Sequence, residues 1–280
     1  MARRAAAVAG AAAAAAAAGV LGWSLFESQW VEFQVEEVEL PGLPPELDGL
    51  TIVHLSDFHL GTISFNRRAL ERAVRWASEE PCDIVAITGD LLSRRRGEPQ
   101  LEEAVAALEP RLGVFAVLGN HDVEVTRDPF SQPTDASVVE NVGAVLLEND
   151  SVRRTVKGKS VQIVGGDQSL GPYWSSLAKL ADPEADLRIL LFHFPDVVRY
   201  LPAGAFDLVL AGHLHGGQIC IPTPRRKVRL EHLRAEHWEG LHRTPAGVLH
   251  VSRGLGTSFV PFRFLARPEA TRLVLRSAGH

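Results

Sequence analysis

Along this chain, short apolar runs recur, and each stops abruptly on glycine, aspartate, asparagine or histidine. Val31 to Leu40 sets Val31, Phe33, Val35, Val38 and Leu40 against Glu32, Gln34, Glu36 or Glu37 and Glu39, the alternation of an edge strand with one wet face. Thr51 to Leu55, rich in β-branched residues, predicts a buried strand that runs into Ser56-Asp57-Phe58-His59-Leu60-Gly61. Asn66 to Ser78 has the 3.6-residue period of an amphipathic helix, with Leu70, Ala73, Val74 and Ala77 on one side. Ile84 to Thr88 is apolar throughout, as a strand buried on both faces would be, and leads into Gly89-Asp90. A helix over Leu101 to Leu108 and a strand over Gly113 to Leu118 follow, the latter ending in Gly119-Asn120-His121-Asp122. Successive strand, loop and helix units that deliver polar residues at strand ends imply βαβ organisation, and their unequal intervals exclude a solenoid.

The second half repeats this grammar after an interlude. Ser137 to Val142 reads as helix, and Val145 to Glu148, Val152 to Val156 and Val161 to Val164 read as short antiparallel strands, the last two parted by Lys157-Gly158-Lys159. Arg188 to Phe192 leads to His193, and Leu208 to Ala211 leads to Gly212-His213-Leu214-His215-Gly216-Gly217. Val248 to Ser252 leads to Arg253-Gly254-Leu255-Gly256, and strands over Phe262 to Leu265 and Thr271 to Leu275 should finish a sheet. With 280 residues, 46% of them apolar, the chain suits one large α/β domain over residues 31–280, once residues 1–30 are set apart.

Those first residues carry an address. Arg3-Arg4 precede an unbroken small and apolar run from Ala5 to Leu21, the form of a signal peptide or membrane anchor, and Trp23, Phe26 and Trp30 are placed to form an interfacial aromatic belt. The positive-inside rule puts the domain on the outer face of the cytoplasmic membrane, or outside the cell after cleavage. Net charge is -5 with the signs mixed, so no basic stripe invites nucleic acid; Arg94-Arg95-Arg96 and Arg225-Arg226-Lys227 are read as solvated loops. Cys82 and Cys220 stand apart in no metal or redox motif and are expected to be buried free thiols, with one disulfide the alternative.

The strand ends supply the chemistry. Asp57 and His59, two apart, would project from one face of extended backbone and grip a cation together. With Asp90, Asn120, His193, His213 and His215 they make seven candidate ligands, too many for one ion. Imidazoles, carboxylates and one amide oxygen suit manganese, iron or zinc, and one aspartate can bridge two such ions. A pair of divalent ions about 3.5 to 4 Å apart clamps a phosphate and acidifies a bridging water for in-line displacement, so phosphoester hydrolysis is the expected reaction. His54 faces away from these residues and reads as a satisfied core histidine; His232, His237, His242 and His250 read as surface or packing residues. Arg253 among glycines is either part of a plain turn or an anion clamp. Phe259-Val260-Pro261-Phe262 reads as an apolar lip touching acyl chains, or as ordinary core. No P-loop, His-Glu-x-x-His or Gly-x-Ser-x-Gly motif supports a nucleotide hydrolase, metalloprotease or serine hydrolase.

Asp57-x-His59, Gly89-Asp90, Gly119-Asn120-His121-Asp122, His193 and Gly212-His213-x-His215, in this order, resemble the calcineurin-like metallophosphoesterase superfamily over roughly Thr51 to Ser258. The resemblance implies a four-layer α/β/β/α sandwich of two mixed sheets. It also implies that Asp57, His59, Asp90 and His215 hold one ion, that Asp90, Asn120, His193 and His213 hold the other, and that Asp90 bridges them. His121 would protonate the leaving oxygen, with Asp122 behind it. Ser56 to Gly61, Gly212 to Gln218 and Ser252 to Ser258 are similar to the exported or membrane-bound bacterial YkuE and YaeI type, whose relatives include enzymes cleaving UDP-2,3-diacylglucosamine. Phe194, where a polar residue is expected, departs from the pattern at the pocket rim. The expected substrate is thus a phosphodiester or pyrophosphate linked to lipid; a soluble ester, or a non-catalytic scaffold on the same fold, are the rivals.

Overall fold

The structure is a computed structural model of the full chain; it describes all residues except 124–127, 133, 225–226, 231–232 and 279–280, and the side chains of residues 2, 168, 169 and 172. Arg225, Arg226 and His232 therefore lie outside the described residues. The chain opens on a helix α1 (Ala2–Glu27), and β1 (Glu32–Leu40), β2 (Thr51–Leu55), α2 (Asn66–Glu79), β3 (Ile84–Thr88), α3 (Glu98–Ala106), β4 (Gly113–Val117) and β5 (Val145–Leu146) follow. The second half comprises β6 (Asp150–Val156), β7 (Lys159–Gly166), β8 (Leu187–Phe192), β9 (Leu208–Ala211), β10 (Cys220–Pro222), β11 (Lys227–Arg229), β12 (Gly240–Thr244), β13 (Gly247–Val251) and β14 (Glu269–Ser277).

Two six-stranded mixed sheets face each other, ordered β1-β14-β2-β3-β4-β5 and β12-β13-β9-β8-β7-β6. Ile52, Ile84, Phe115, Ile163, Ile189 and Leu210 belong to the apolar layer between them. The outer face of the first sheet is covered by α2 and α3 through Leu70, Ala73, Leu101 and Val105. The outer face of the second is covered by turns of 3-10 helix that bring in Trp174, Leu177, Val197 and Val198. The two mixed sheets flanked by helical layers are the expected α/β sandwich; β3 and β9 are buried at every position, and β8 at every position but Arg188, which pairs with Asp207.

Three expectations need correction. Val145–Leu146 does not join the hairpin after it but adds in parallel to β4, in the other sheet, while β6 and β7 pair antiparallel through the Lys157-Gly158 turn. Phe262 to Leu265 is no strand. The guanidinium of Arg263, fully buried, gathers five backbone carbonyls and pulls the segment into an irregular loop, leaving one bridge between Phe264 and Ile219. The helix expected over Ser137 to Val142 is a 3-10 turn, Ala136–Val142. Both cysteines are free and buried.

α1 is apolar, exposed along its length, and long enough to cross a membrane. Its last turn is nevertheless part of the domain: Ser24, Glu27 and Ser28 are buried, Ser24 O accepts from Arg263 N at 3.2 Å, and Glu27 Oε1 accepts from Ala266 N at 2.8 Å. Trp23, Phe26 and Trp30 cluster around this turn with centroids 5.5 to 6.1 Å apart.

Candidate metal centre

Parallel β2, β3 and β4 in one sheet and β8, β9 and β13 in the other end at a common rim, and backbone hydrogen bonds stitch their loops together. Asp57 N donates to Gly89 O, Gly212 N to His193 O, and Leu255 N to Ser56 O. The loops must pass so closely that glycine is obligatory at two of them: a Cβ on Gly212 would strike Ser56 Oγ and Asp57 Oδ2, and one on Gly119 would strike Asp90. The close approach of Asp57 and His59 does not come from extended backbone, as the sequence suggested. Asp57, His59, Asp90, His213 and His215 all have φ between 45° and 73°, the left-handed region. Such positions cost about 1 to 3 kcal/mol each in a residue with a side chain, and they persist where the surroundings over-determine them.

The result is convergence of donor atoms. One group joins Asp57, His59, Asp90 and His215, and a second joins Asp90, His193 and His213, with ligand atoms within 4.8 Å of one another in each. His59 Nε2 lies 3.1 Å from His215 Nε2 and 3.5 Å from Asp90 Oδ2; His193 Nε2 lies 3.2 Å from both Asp90 Oδ2 and His213 Nδ1. Asn120 Oδ1 is buried without a hydrogen-bond partner. A buried acceptor left idle beside lone pairs turned on each other costs free energy unless a cation takes them up, and the mixed N and O set fits a borderline divalent ion. These residues fit two ions sharing Asp90.

Charge concentrates on the shared aspartate. Burial would raise the Asp90 carboxyl, but His193 foremost, with His121 and His59, holds it well below the carboxylate range. His193 is raised to about 9 by Asp90 against the effect of its burial, whereas burial keeps His59 and His215 far below their ordinary value, as neutral donors. Asp57 is pushed up to about 6 by burial and by Asp90.

Behind the donors, neighbours fix the rings. His193 Nδ1 meets Thr88 O at 2.7 Å, His59 Nδ1 meets Ser93 Oγ at 3.1 Å, and Asp57 accepts from His213 N at 3.1 Å. His121, buried, has Nδ1 2.7 Å from Ser131 Oγ and Nε2 3.9 Å from Asp90 Oδ2. The Asp122 carboxylate accepts from the N–H groups of Gly119, Leu91 and Leu92, clamping the Asn120 loop to the Asp90 loop; burial and Asp90 push it up to about 7. Arg253, whose stem packs against Gly216, is bonded to Glu269 at 2.6 Å and Glu32 at 3.0 Å, so its guanidinium serves two carboxylates. His54 is enclosed between Thr88 and His250, both at 2.8 Å.

Two contributors escaped the sequence. Arg263 donates to the carbonyls of His215, Arg253, Gly254, Gly256 and Ala266, tying the His215 turn to the Gly254 loop that packs on Asp57. The Asn66 carboxamide, at the start of α2, donates to His59 O and Thr257 O and accepts from Thr257 N. An asparagine at the first position of a helix gives no hint of this reach, and an arginine between two phenylalanines reads as the wet side of a strand.

Residues 50–217 match the family described as calcineurin-like phosphoesterase. An uncharacterized metallophosphoesterase of Bacillus subtilis, YkoQ, is 34% identical over 82% of this chain and 84% of its own. The UDP-2,3-diacylglucosamine pyrophosphatase LpxG of Chlamydia muridarum is 30% identical over 82% of this chain and 84% of its own. A transmembrane protein with metallophosphoesterase domain from Danio rerio is 28% identical over 88% of this chain and 58% of its own. With its donors gathered around one shared aspartate, the chain belongs to the calcineurin-like phosphoesterase family and is a metal-dependent phosphoester hydrolase that works with two divalent ions.

Proposed function

We propose that this protein hydrolyses a phosphodiester or pyrophosphate bond in a lipid-linked, UDP-2,3-diacylglucosamine-like substrate, at the outer face of the membrane in which α1 is anchored. The reading is carried by the two donor groups that share Asp90. Asp57, His59, Asp90 and His215 would hold one ion, and Asp90, Asn120, His193 and His213 the other, Asn120 through its idle Oδ1. Bound there, the ions supply Lewis acidity at phosphorus and lower the pKa of water.

The chain's own residues do the rest. Asp90, anionic among imidazoles, fixes the distance between the two donor groups. His121 is steered by Ser131 so that Nε2 faces Asp90, where it would give a proton to the leaving oxygen or meet its charge. Asp122 holds the loops of Asp90 and Asn120 at fixed separation. The lipid link is supported by the apolar α1 and by the activity named for the Chlamydia relative. Residues 31–280 are proposed as the catalytic domain and residues 1–30 as its anchor.

The full chain in detergent, reconstituted with manganese, should hydrolyse both a chromogenic phosphodiester and a UDP-linked diacyl lipid, favouring the lipid in kcat/KM. Turnover of the dye alone would reduce the proposal to a soluble-ester hydrolase. No turnover of either would leave the non-catalytic scaffold.

A further inference from the structure

Beside the metal centre, on the His59 and His121 side, Thr62, Ile63, Phe130, Thr257, Phe259 and Val260 help line a cavity of about 240 Å³. It shares its wall with the centre. The Thr62 hydroxyl donates to His59 O at 3.2 Å, Thr257 is bonded to the Asn66 carboxamide that also holds His59 O, and Phe130 precedes the Ser131 that touches His121. Its volume lies below the roughly 300 to 1,000 Å³ of sites that take whole drug-sized ligands. Around the mouth, Ile63, Phe130 and Phe259 are 86%, 51% and 44% exposed. Scattered exposed apolar residues mean little, but several gathered round one apolar cavity mark a surface meant to be covered.

This lip is built to stay out. Phe259 has φ of 56°, a conformation disfavoured for an aromatic residue, and its N–H donates to Asp128 at 3.0 Å. Gln218, 2% exposed, grips both flanks: Nε2 donates to Ser258 O at 2.8 Å and to Val260 O at 3.3 Å, and Oε1 accepts from Ser258 N at 3.0 Å. A buried amide spent on holding an exposed phenylalanine in a strained turn points to use of that phenylalanine. The segment then runs, within two to five residues of Pro261, into Arg263 and Ala266, which bond Ser24 and Glu27 in the last turn of α1. The lip is therefore fastened to the end of the helix that would leave the bilayer.

We propose that the cavity takes one acyl chain of the membrane-embedded substrate, drawn from the bilayer between Ile63, Phe130 and Phe259, so that the phosphoester it carries reaches the centre on the His121 side. This rests on the lipid-linked reading and specifies how it is met.

The test uses the full, manganese-loaded chain in two arms. In phosphatidylcholine vesicles carrying a trace of phosphatidic acid with a photoactivatable acyl chain, label should map by mass spectrometry to peptides containing Ile63, Phe130 and Val260 as well as to α1, and Ile63→Asp or Val260→Asp should cut the cavity label about fivefold relative to the α1 label. Label on α1 alone, or crosslinks joining the lips of two chains, would overturn the acyl site; label on neither would overturn membrane anchoring with it. In detergent, kcat/KM for p-nitrophenyl alkyl phosphodiesters should rise about tenfold or more from methyl to hexadecyl, as burial of several methylenes requires. A flat series with turnover would sink the acyl site and spare the hydrolase; no turnover of any ester would sink the hydrolase.

Discussion

Two pairs of buried histidines in this fold make opposite use of the same ring. His54 and His250 sit with centroids 5.0 Å apart, His59 and His215 with centroids 4.9 Å apart, and all four rings are buried. The first pair lies within β2 and β13, and His54 is satisfied on both nitrogens. The second pair lies beyond the strand ends on left-handed backbone, with Nε2 facing Nε2 and two aspartates within 3.5 Å. Burial alone therefore does not mark a site. What marks it is lone pairs converging on a point from backbone held in costly conformations; an anion alongside is not enough, since Glu269 also stands 3.8 Å from His250.

The contrast can be broken most severely at Asp90. Asp90→Asn should lower the metal content from two ions to fewer than one per chain by elemental analysis, with kcat down more than about a hundredfold. Two ions retained would refute the shared aspartate. His121→Asn should leave both ions in place and cost about a hundred- to ten-thousand-fold in kcat on esters with poor leaving groups, and much less on p-nitrophenyl esters. Equal losses on both would deny it the role of proton donor.

Arg263→Met addresses what holds the second pair in place. Five carbonyls lose a buried donor, so the melting midpoint should fall by the equivalent of about 3 kcal/mol or more, and metal content should fall with it. An unchanged midpoint would remove Arg263 from the account of the site. The smallest effect belongs to the structural pair. Burial lowers His250 to about 4 from the ordinary 6.5, so the unfolded chain binds the proton first. The His250 contribution to stability is then full above pH 6.5 and declines as the pH falls toward 4, by up to about 3 kcal/mol. Metal-free His250→Leu, melted between pH 7 and pH 4.5 beside the unaltered protein, should differ from it by this slope; an identical pH dependence in the two would clear His250.

The candidate donors were legible because each follows a short apolar run, and loops after buried strands are where an α/β sheet presents its chemistry. The hidden parts depend on contacts at long range. Val145–Leu146 has no local feature telling it to leave the hairpin for β4. Arg263, alternating with Phe262 and Phe264, has the periodicity of a strand and the structure of a tether. Asp122 looked like a partner for its neighbour His121, but its carboxylate takes backbone N–H groups across two loops. Left-handed φ at Asp57 and Asp90 is likewise invisible in residues that adopt many conformations.

The wedge that Ser24 and Glu27 drive beneath the Arg263 loop limits where the N-terminal helix could be cut. A peptidase cutting downstream of Trp23 would carry off the residues that Arg263 and Ala266 bond, and Arg263 in turn holds the His215 turn. Maturation by clipping and an intact reaction centre are then at odds, unless the scissile bond lies upstream of that turn.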